Sequence, residues 1–217
     1  RRVEILPHPS VHMVFEHSGD ARVVGVAKEK FVRMLQDRNG VFGVKFRPGG
    51  FHPFFGAHVS SLADRALSID AVFGAAGESL VREINAEIDD AGRRRVAEAF
   101  LSSRVVSDPL VSWIADIVYA VASDRTILKV DDLVERQGVN KRTLQRLFSK
   151  YVGATPKWVI QRYRLHEAAA QLAAHADVNH AALAASLGYS DQAHFVRDFQ
   201  STVGMSPARF ARRSRSP

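Results

Sequence analysis

Leu133-Val134-Glu135-Arg136-Gln137-Gly138-Val139 and Leu183-Ala184-Ala185-Ser186-Leu187-Gly188-Tyr189 are two versions of one phrase, fifty residues apart. The likeness continues at an offset of 51. Leu144, Phe148, Gly153 and Pro156 answer to Phe195, Phe199, Gly204 and Pro207, so the second turn holds one extra residue. Each copy reads as a helix, a Gly, a turn with a polar N-cap, a second helix, another Gly and a Pro. Asn140 and Ser190 are the expected N-caps. The first Gly supplies the left-handed geometry that ends a helix. The second helix follows within a few residues, so the pair crosses steeply, as in a helix-turn-helix. Leu133, Val134, Leu144, Leu147 and Phe148 should pack copy one, and Leu183, Ala184, Phe195 and Phe199 copy two.

Between the copies runs one helical segment, from Thr155-Pro156 to about Ala174, with Val159, Ile160, Tyr163, Leu165, Ala169 and Leu172 apolar. At ~1.5 Å per residue it is a rod of ~28 Å. Successive major-groove entries on one face of DNA are ~34 Å apart. Such a rod lets one chain enter two adjacent grooves, and the small shortfall predicts that the DNA bends toward it.

The second helix of each copy is the candidate reader. In Asn140–Lys150 the face opposite the apolar stripe carries Arg142, Gln145 and Arg146. Arg suits guanine O6/N7 and Gln suits adenine N6/N7, so these three are the expected base readers. Lys141, Lys150 and Lys157 are expected on phosphates, as are Asn140 and Ser190 at the two helix starts. In Ser190–Gln200 the readers are Gln192, His194 and Arg197. That copy is less basic, with Asp191 and Asp198 flanking it, so it is expected to discriminate less. Asp191 early in the helix suits the macrodipole.

Net charge fits this assignment. The 217 residues hold 30 Lys+Arg and 23 Asp+Glu, a formal +7. Residues 1–106 carry +2 and residues 107–217 carry +5. From Arg136 to His166 there are eight cations and no acid: Arg136, Lys141, Arg142, Arg146, Lys150, Lys157, Arg162 and Arg164. A basic stretch like this points to an anionic partner, nucleic acid first. Zero Cys excludes disulfide scaffolds, Cys-ligated zinc and cysteine nucleophiles, and fits a reducing compartment. No run of ~18 apolar residues exists to span a membrane. The chain opens on Arg1 rather than Met, as a processed or shortened chain does, and Pro7-His8-Pro9 breaks any signal-peptide pattern.

The first sixty residues read as β. Val11–Phe15, Val23–Val26 and Val41–Phe46 are candidate strands, and Arg47-Pro48-Gly49-Gly50 is a tight turn. Three helices follow. The first is 76–89, with Leu80, Ile84 and Ile88 on one stripe and Gly92 as the break. The second is 93–103, with Val96, Phe100 and Leu101 inward. The third opens at Asp108-Pro109 and runs through Trp113, Ile117 and Val121. The boundary falls near 104–108, giving domains 1–106 and 107–217.

Three readings of the first half stay open. Phe42, Phe46, Phe51, Phe54 and Phe55 line an apolar effector pocket or are simply core. His8, His12, His17, His52 and His58 raise a metal site, but no carboxylate-His spacing supports one, and Pro-flanked His8 and His52 look like loop residues. No nucleophile elbow, P-loop or dinucleotide fingerprint marks an enzyme.

Gly188-Tyr189-Ser190-Asp191-Gln192-Ala193-His194-Phe195, with Phe199, Gly204, Ser206-Pro207 and Phe210, resembles the signature of AraC/XylS-type transcription regulators. Thr143-Leu144-Gln145-Arg146-Leu147-Phe148, with Gly153 and Pro156, is similar to that family's first motif. The likeness covers about 109–213. It implies seven helices, two helix-turn-helix units and base contacts from the positions of Arg142, Gln145, Arg146, Gln192, His194 and Arg197. Arg142 stands where members often carry an aromatic or polar reader. Phe46–Gly50, Leu62–Arg65 and Asp70–Gly74 resemble landmarks of a β-rich domain often fused to such regulators for sensing or dimerisation.

The expected fold class is therefore α+β: a small β-rich N-terminal domain with trailing helices, then an all-α domain of two helix-turn-helix units joined by a long helix. The expected function is sequence-specific regulation of transcription, as activator or repressor, in the cytoplasm at the nucleoid. Expected partners are double-stranded DNA, a small-molecule effector, RNA polymerase and a second copy of the chain. No cofactor, metal, catalytic residue or membrane is expected. The competing readings are a helical protein-interaction module without DNA, and a ligand-processing enzyme fused to a DNA anchor.

Overall fold

The computed structural model describes residues 2–5, 7–16, 18–28, 31–34, 40–175 and 178–214. The N-terminal part holds β1 (Arg2–Ile5), β2 (His12–Glu16), β3 (Ala21–Val24), β4 (Phe31–Met34) and β5 (Val41–Lys45). After these come α1 (His52–Phe55), a 3₁₀ turn (Val59–Leu62), β6 (Ala66–Ser68), α2 (Ile69–Phe73), α3 (Ala75–Ala86) and α4 (Asp90–Ser102). One antiparallel sheet runs β5-β2-β3-β6, with Met13 opposite both Val23 and Val44; β1 and β4 form a separate pair. Alternation decides which face of β2 turns inward: Met13 and Phe15 are buried, while His12 and Val14 are half-buried. That face packs on Leu80 and Ile84 of α3 and Ala97 of α4.

Several sequence expectations shift here. The second strand ends at Val24. Gly25 passes so close to the Leu62 carbonyl that a Cβ would sit 1.9 Å from its oxygen, and Val26 leaves the sheet to join the core of the first helical unit. β6 and the β1/β4 pair were not legible as strands. Ile88 is 96% exposed, so the apolar stripe of α3 stops at Ile84. Gly92 does not break a helix. It lies within α4, where its N–H donates to the Asp89 N-cap at 2.7 Å. His52 opens α1 and is buried, rather than lying in a loop. His17 lies outside the described residues.

From Asp108 the chain is helical. The Asp108 side chain caps α5 (Pro109–Ser123), accepting from the Leu110 N–H at 3.0 Å. Then come α6 (Val130–Gln137), α7 (Lys141–Leu147), a π turn (Phe148–Val152), α8 (Pro156–Ala174), α9 (His180–Ser186), α10 (Gln192–Val203) and α11 (Pro207–Ser214). These are the seven helices expected after residue 107. Their apolar residues form two cores. Ile114, Ile117, Leu133, Leu144, Phe148 and Val159 centre the first, and Leu172, Leu183, Phe195 and Phe199 the second, with α8 serving both. Among the described residues no helix is long and apolar enough to cross a membrane.

Candidate nucleic-acid interface

In the first helix-turn-helix, α6 ends on Gly138 at φ 62°, the left-handed value its place in the repeat requires. The Asn140 side chain caps α7 by accepting from the Thr143 N–H at 2.8 Å. Leu144 and Leu147 turn into the core, which leaves Arg142, Gln145 and Arg146 exposed on the other side. Among the described residues neither arginine has an ion-pair or hydrogen-bond partner. The helix does not run on regularly to Lys150. After Leu147 it underwinds into a π turn, closed by Gly153 N–H donating to the Phe148 carbonyl at 2.9 Å.

The second unit differs by its extra residue. Gly188 again takes a positive φ, 81°. The longer turn moves the cap one place on. Asp191, not Ser190, caps α10, accepting from the His194 N–H at 2.7 Å, and the Ser190 hydroxyl donates to Asp191 at 3.1 Å. The His194 N–H, Ser190 and nearby Arg197 hold the Asp191 carboxyl below its ordinary range. Phe195 and Phe199 are buried, while Gln192 and Arg197 are exposed. His194 is half-buried, edge-on to Tyr189 at 5.2 Å and 3.6 Å from Asp198.

α8 joins the units, capped by Thr155, whose hydroxyl accepts from the Trp158 N–H at 3.2 Å. It is not a rod with a simple basic face. Arg162 and Arg164 are 5% and 2% exposed. Arg164 donates to the Val121 and Asp124 carbonyls at the end of α5 and to Glu167 at 2.8 Å. It is a cation placed where the α5 dipole is negative. Arg162 donates to the Lys28 carbonyl at 2.8 Å and lies over the Trp158 ring. Burial lowers its pKa to about 10.

Two more of the eight cations are engaged elsewhere. Arg136 pairs with Asp124 at 2.5 Å, and hydrogen bonds from Thr126 and then from Arg136 hold that carboxyl at about 2. Lys141 reaches Asp131 at 3.1 Å. Arg142, Arg146 and Lys157 stay exposed, and Lys150 is half-buried over the Tyr151 ring.

Both units open on one cleft of about 420 Å3. Lys141 and Gln145 line it from α7, Lys157 and Gln161 from α8, and Ser190 and His194 from the second unit. Gly188 touches Leu128 at the rim, where a Cβ would come within 3.1 Å, so the two units abut there.

The N-terminal part is seated on the first unit and on α8. Ser149 donates to Ser60 at 3.0 Å, the His52 ring meets Tyr151 at 4.3 Å, and His166 contacts the Pro7 carbonyl at 3.1 Å. The His8 ring meets that of His166 at 4.4 Å, tilted by 34°. Burial, then His166 and Lys45, lower the His8 pKa to about 4; burial also lowers those of His12, His52 and His166. Among the described residues no three His, Asp or Glu side chains come together as a metal site. The five phenylalanines pack mostly on one another. Phe46 meets Phe51 at 5.0 Å and Phe54 at 5.7 Å, and Phe51 meets Phe55 at 5.8 Å. Phe42 instead meets Phe15 at 6.0 Å and borders a cleft of about 190 Å3 with Glu16, Ile84 and Arg93.

This geometry, two helix-turn-helix units on one connecting helix, is that of a DNA-binding protein; by its sequence relatives the chain belongs to the AraC/XylS-type helix-turn-helix regulators and is a DNA-binding regulator of transcription. Residues 133–213 match a family described as a helix-turn-helix domain, and residues 1–68 match a domain of unknown function, DUF6597. A relative is the probable transcription factor PqrA of Proteus vulgaris, 32% identical over 90 residues, which are 42% of this chain and 73% of the relative. Among solved structures, ToxT from Vibrio cholerae aligns over 97% of this chain and 96% of its own, at 13% identity and a TM-score of 0.48. ToxT bound to (E)-4-(8-methylnaphthalen-1-yl)but-3-enoic acid aligns over 99% and 98%, at 13% identity and a TM-score of 0.49.

Proposed function

We propose that one chain reads two successive major grooves of a duplex. Arg142, Gln145 and Arg146 face the bases in the first groove; Gln192, His194 and Arg197 face them in the second. Lys157 and Lys150 meet phosphates directly. Asn140 does so through its amide N–H groups while its Oδ1 keeps the α7 cap, and Lys141 and Ser190 do so after loosening from Asp131 and Asp191. The observation that carries this reading is the shared cleft: both recognition helices border it, across a connecting helix that fixes their spacing. The rod is shorter than the groove repeat, so the DNA bends toward the protein, at a cost of a few kcal/mol. Asp191 places a fixed negative charge at the start of α10, which makes the second half-site the less discriminating one.

The N-terminal part, residues 1–106, is the controlling domain and residues 107–217 the DNA-binding one. Control comes through a small-molecule effector or a second copy of the chain, and RNA polymerase is the target of regulation. Of the five phenylalanines we assign an effector contact to Phe42 alone, because it borders an open cleft while the others pack as core. The protein acts in the cytoplasm, at the nucleoid.

Selection of bound sites from random duplexes tests the reading. Two unequal half-sites about one helical turn apart are expected. Arg142→Ala or Arg146→Ala should each cost about 1–3 kcal/mol and relax preference at one base of the stronger half-site. Unchanged affinity and preference in both variants would refute the assignment.

A further inference from the structure

Arg142, Arg146 and Ser149 stand at i, i+4 and i+7, one straight stripe along α7 and the turn that follows it. The first two are exposed, but Ser149 is half-buried: its hydroxyl donates to Ser60 of the 3₁₀ turn at 3.0 Å. The N-terminal part therefore reaches the same stripe that carries the proposed base readers. The contact is tight. Gly153, at φ 87°, passes so close to Val59 that a Cβ would lie 3.1 Å from its carbonyl oxygen, and the buried His52 rests on Tyr151. What this seat presents outward is the segment Ala57-His58 and Ser61, all exposed; His58 and Lys150 both lie near the His52 ring. Ser61 already donates to the His58 carbonyl at 2.8 Å, which fixes the loop. The nearby acid Asp64 is engaged with the Lys28 N–H at 2.6 Å.

We propose that this loop, His58 to Ser61, is a third DNA-contacting element, one that meets the phosphate backbone flanking the first half-site. The inference rests on α7 lying in the major groove. A recognition helix puts its N-terminal residues on the bases, so its far end, here the π turn, emerges at the backbone. Whatever is seated on that end arrives there with it. The His58 ring N–H and the Lys150 ammonium are donors that suit phosphate oxygens and carry no base preference. The N-terminal part would then add affinity without adding specificity, and it would lengthen the contacted DNA on one side only.

The test uses the full chain and a duplex carrying its selected site. Ser61→Arg adds a cation at the loop, and one extra phosphate contact steepens the log–log salt slope by about 1. At 0.15 M salt that slope corresponds to about fivefold tighter binding. His58→Glu should weaken binding by a similar factor, equally on all site sequences. Hydroxyl-radical footprints should show protected backbone beyond the first half-site, and lose it in His58→Glu. Both residues are exposed, so matched thermal unfolding serves as the control for folding. Unchanged affinity and slope in both variants would overturn the proposal, as would weaker binding by Ser61→Arg, which would mark the loop as a cover over the reader. If the wild type binds no duplex, or Arg142→Ala changes nothing, the groove reading itself has failed. If those hold and the loop variants are silent, this inference alone has failed.

Discussion

Replacing Arg164 with Met keeps most of the stem volume and removes a buried charge with its donors. The Val121 carbonyl, near the end of α5, loses the Arg164 guanidinium as a donor. The Asp124 carbonyl loses one partner but still accepts from the Ile127 N–H at 3.4 Å. Glu167 loses Arg164 but retains Arg125 at 2.8 Å and Gln171 at 3.2 Å. One carbonyl left short of a donor costs about 1–3 kcal/mol, and the charge-assisted bonds add to that. Against this, burying a guanidinium is itself expensive. The net expectation is a loss of about 2–3 kcal/mol, below the 3–5 kcal/mol of a fully orphaned partner, because Glu167 stays paired. Both tryptophans, Trp113 and Trp158, sit in the first helical unit, on α5 and α8. Their fluorescence during urea unfolding therefore reports the unit that Arg164 ties together. With a slope of about 2 kcal/mol per molar urea, the midpoint should fall by about 1–1.5 M. Arg164→Lys, which keeps charge but not the fork, should fall part of the way. A midpoint unmoved in Arg164→Met would refute the claim that this side chain braces α5 against α8.

Three further outcomes follow from the geometry. Asp191→Asn keeps an N-cap acceptor but removes a negative charge from the face of α10, so operator affinity should rise with only a small fall in melting temperature; Asp191→Ala, which loses the cap as well, should lower it further. Gly153→Ala meets both a positive φ of 87° and the Val59 carbonyl, so it should lower the melting temperature, read by calorimetry, by several degrees. Folded His8, His12, His52 and His166 all resist protonation, while the unfolded chain takes up protons near the ordinary 6.5. In that window the unfolded state binds more protons, so stability rises with pH. The seat between the N-terminal part and the helical units should hold above about 6.5 and weaken as pH falls toward about 4, the lowered value of His8. Faster proteolysis at the exposed 103–107 segment would report it, and a rate flat with pH would contradict it.

Much of the helical half was legible because its signals are local. A Gly at a left-handed position, an acceptor side chain at a helix start and a Pro after a turn act through neighbours within four residues. Those signals located α5, α7 and the 19-residue α8, and they gave the repeat. Even there, the extra residue of the second turn moved the cap to Asp191, since cap choice depends on where the turn delivers the chain. In the N-terminal half the signals are non-local. Strand pairing joins residues far apart, so β6 and the β1/β4 pair stayed hidden, and Ile88 looked like core until nothing was found to cover it.

The sequence by itself determined that this chain carries two helix-turn-helix units on one connecting helix, with Arg142, Gln145 and Arg146 outward on the first. Periodicity and turn chemistry are enough for that. Only the tertiary structure decided which cations remain free. Of the eight between Arg136 and His166, two are buried and two pair with acids outside the stretch. Only the tertiary structure, too, seated Ser60 on Ser149 at the end of the first recognition helix. The reason is physical: a charge is solvated, paired or buried by what folding brings beside it, and for Arg162, Arg164, Arg136 and Lys141 those neighbours include groups 10 to 134 residues away.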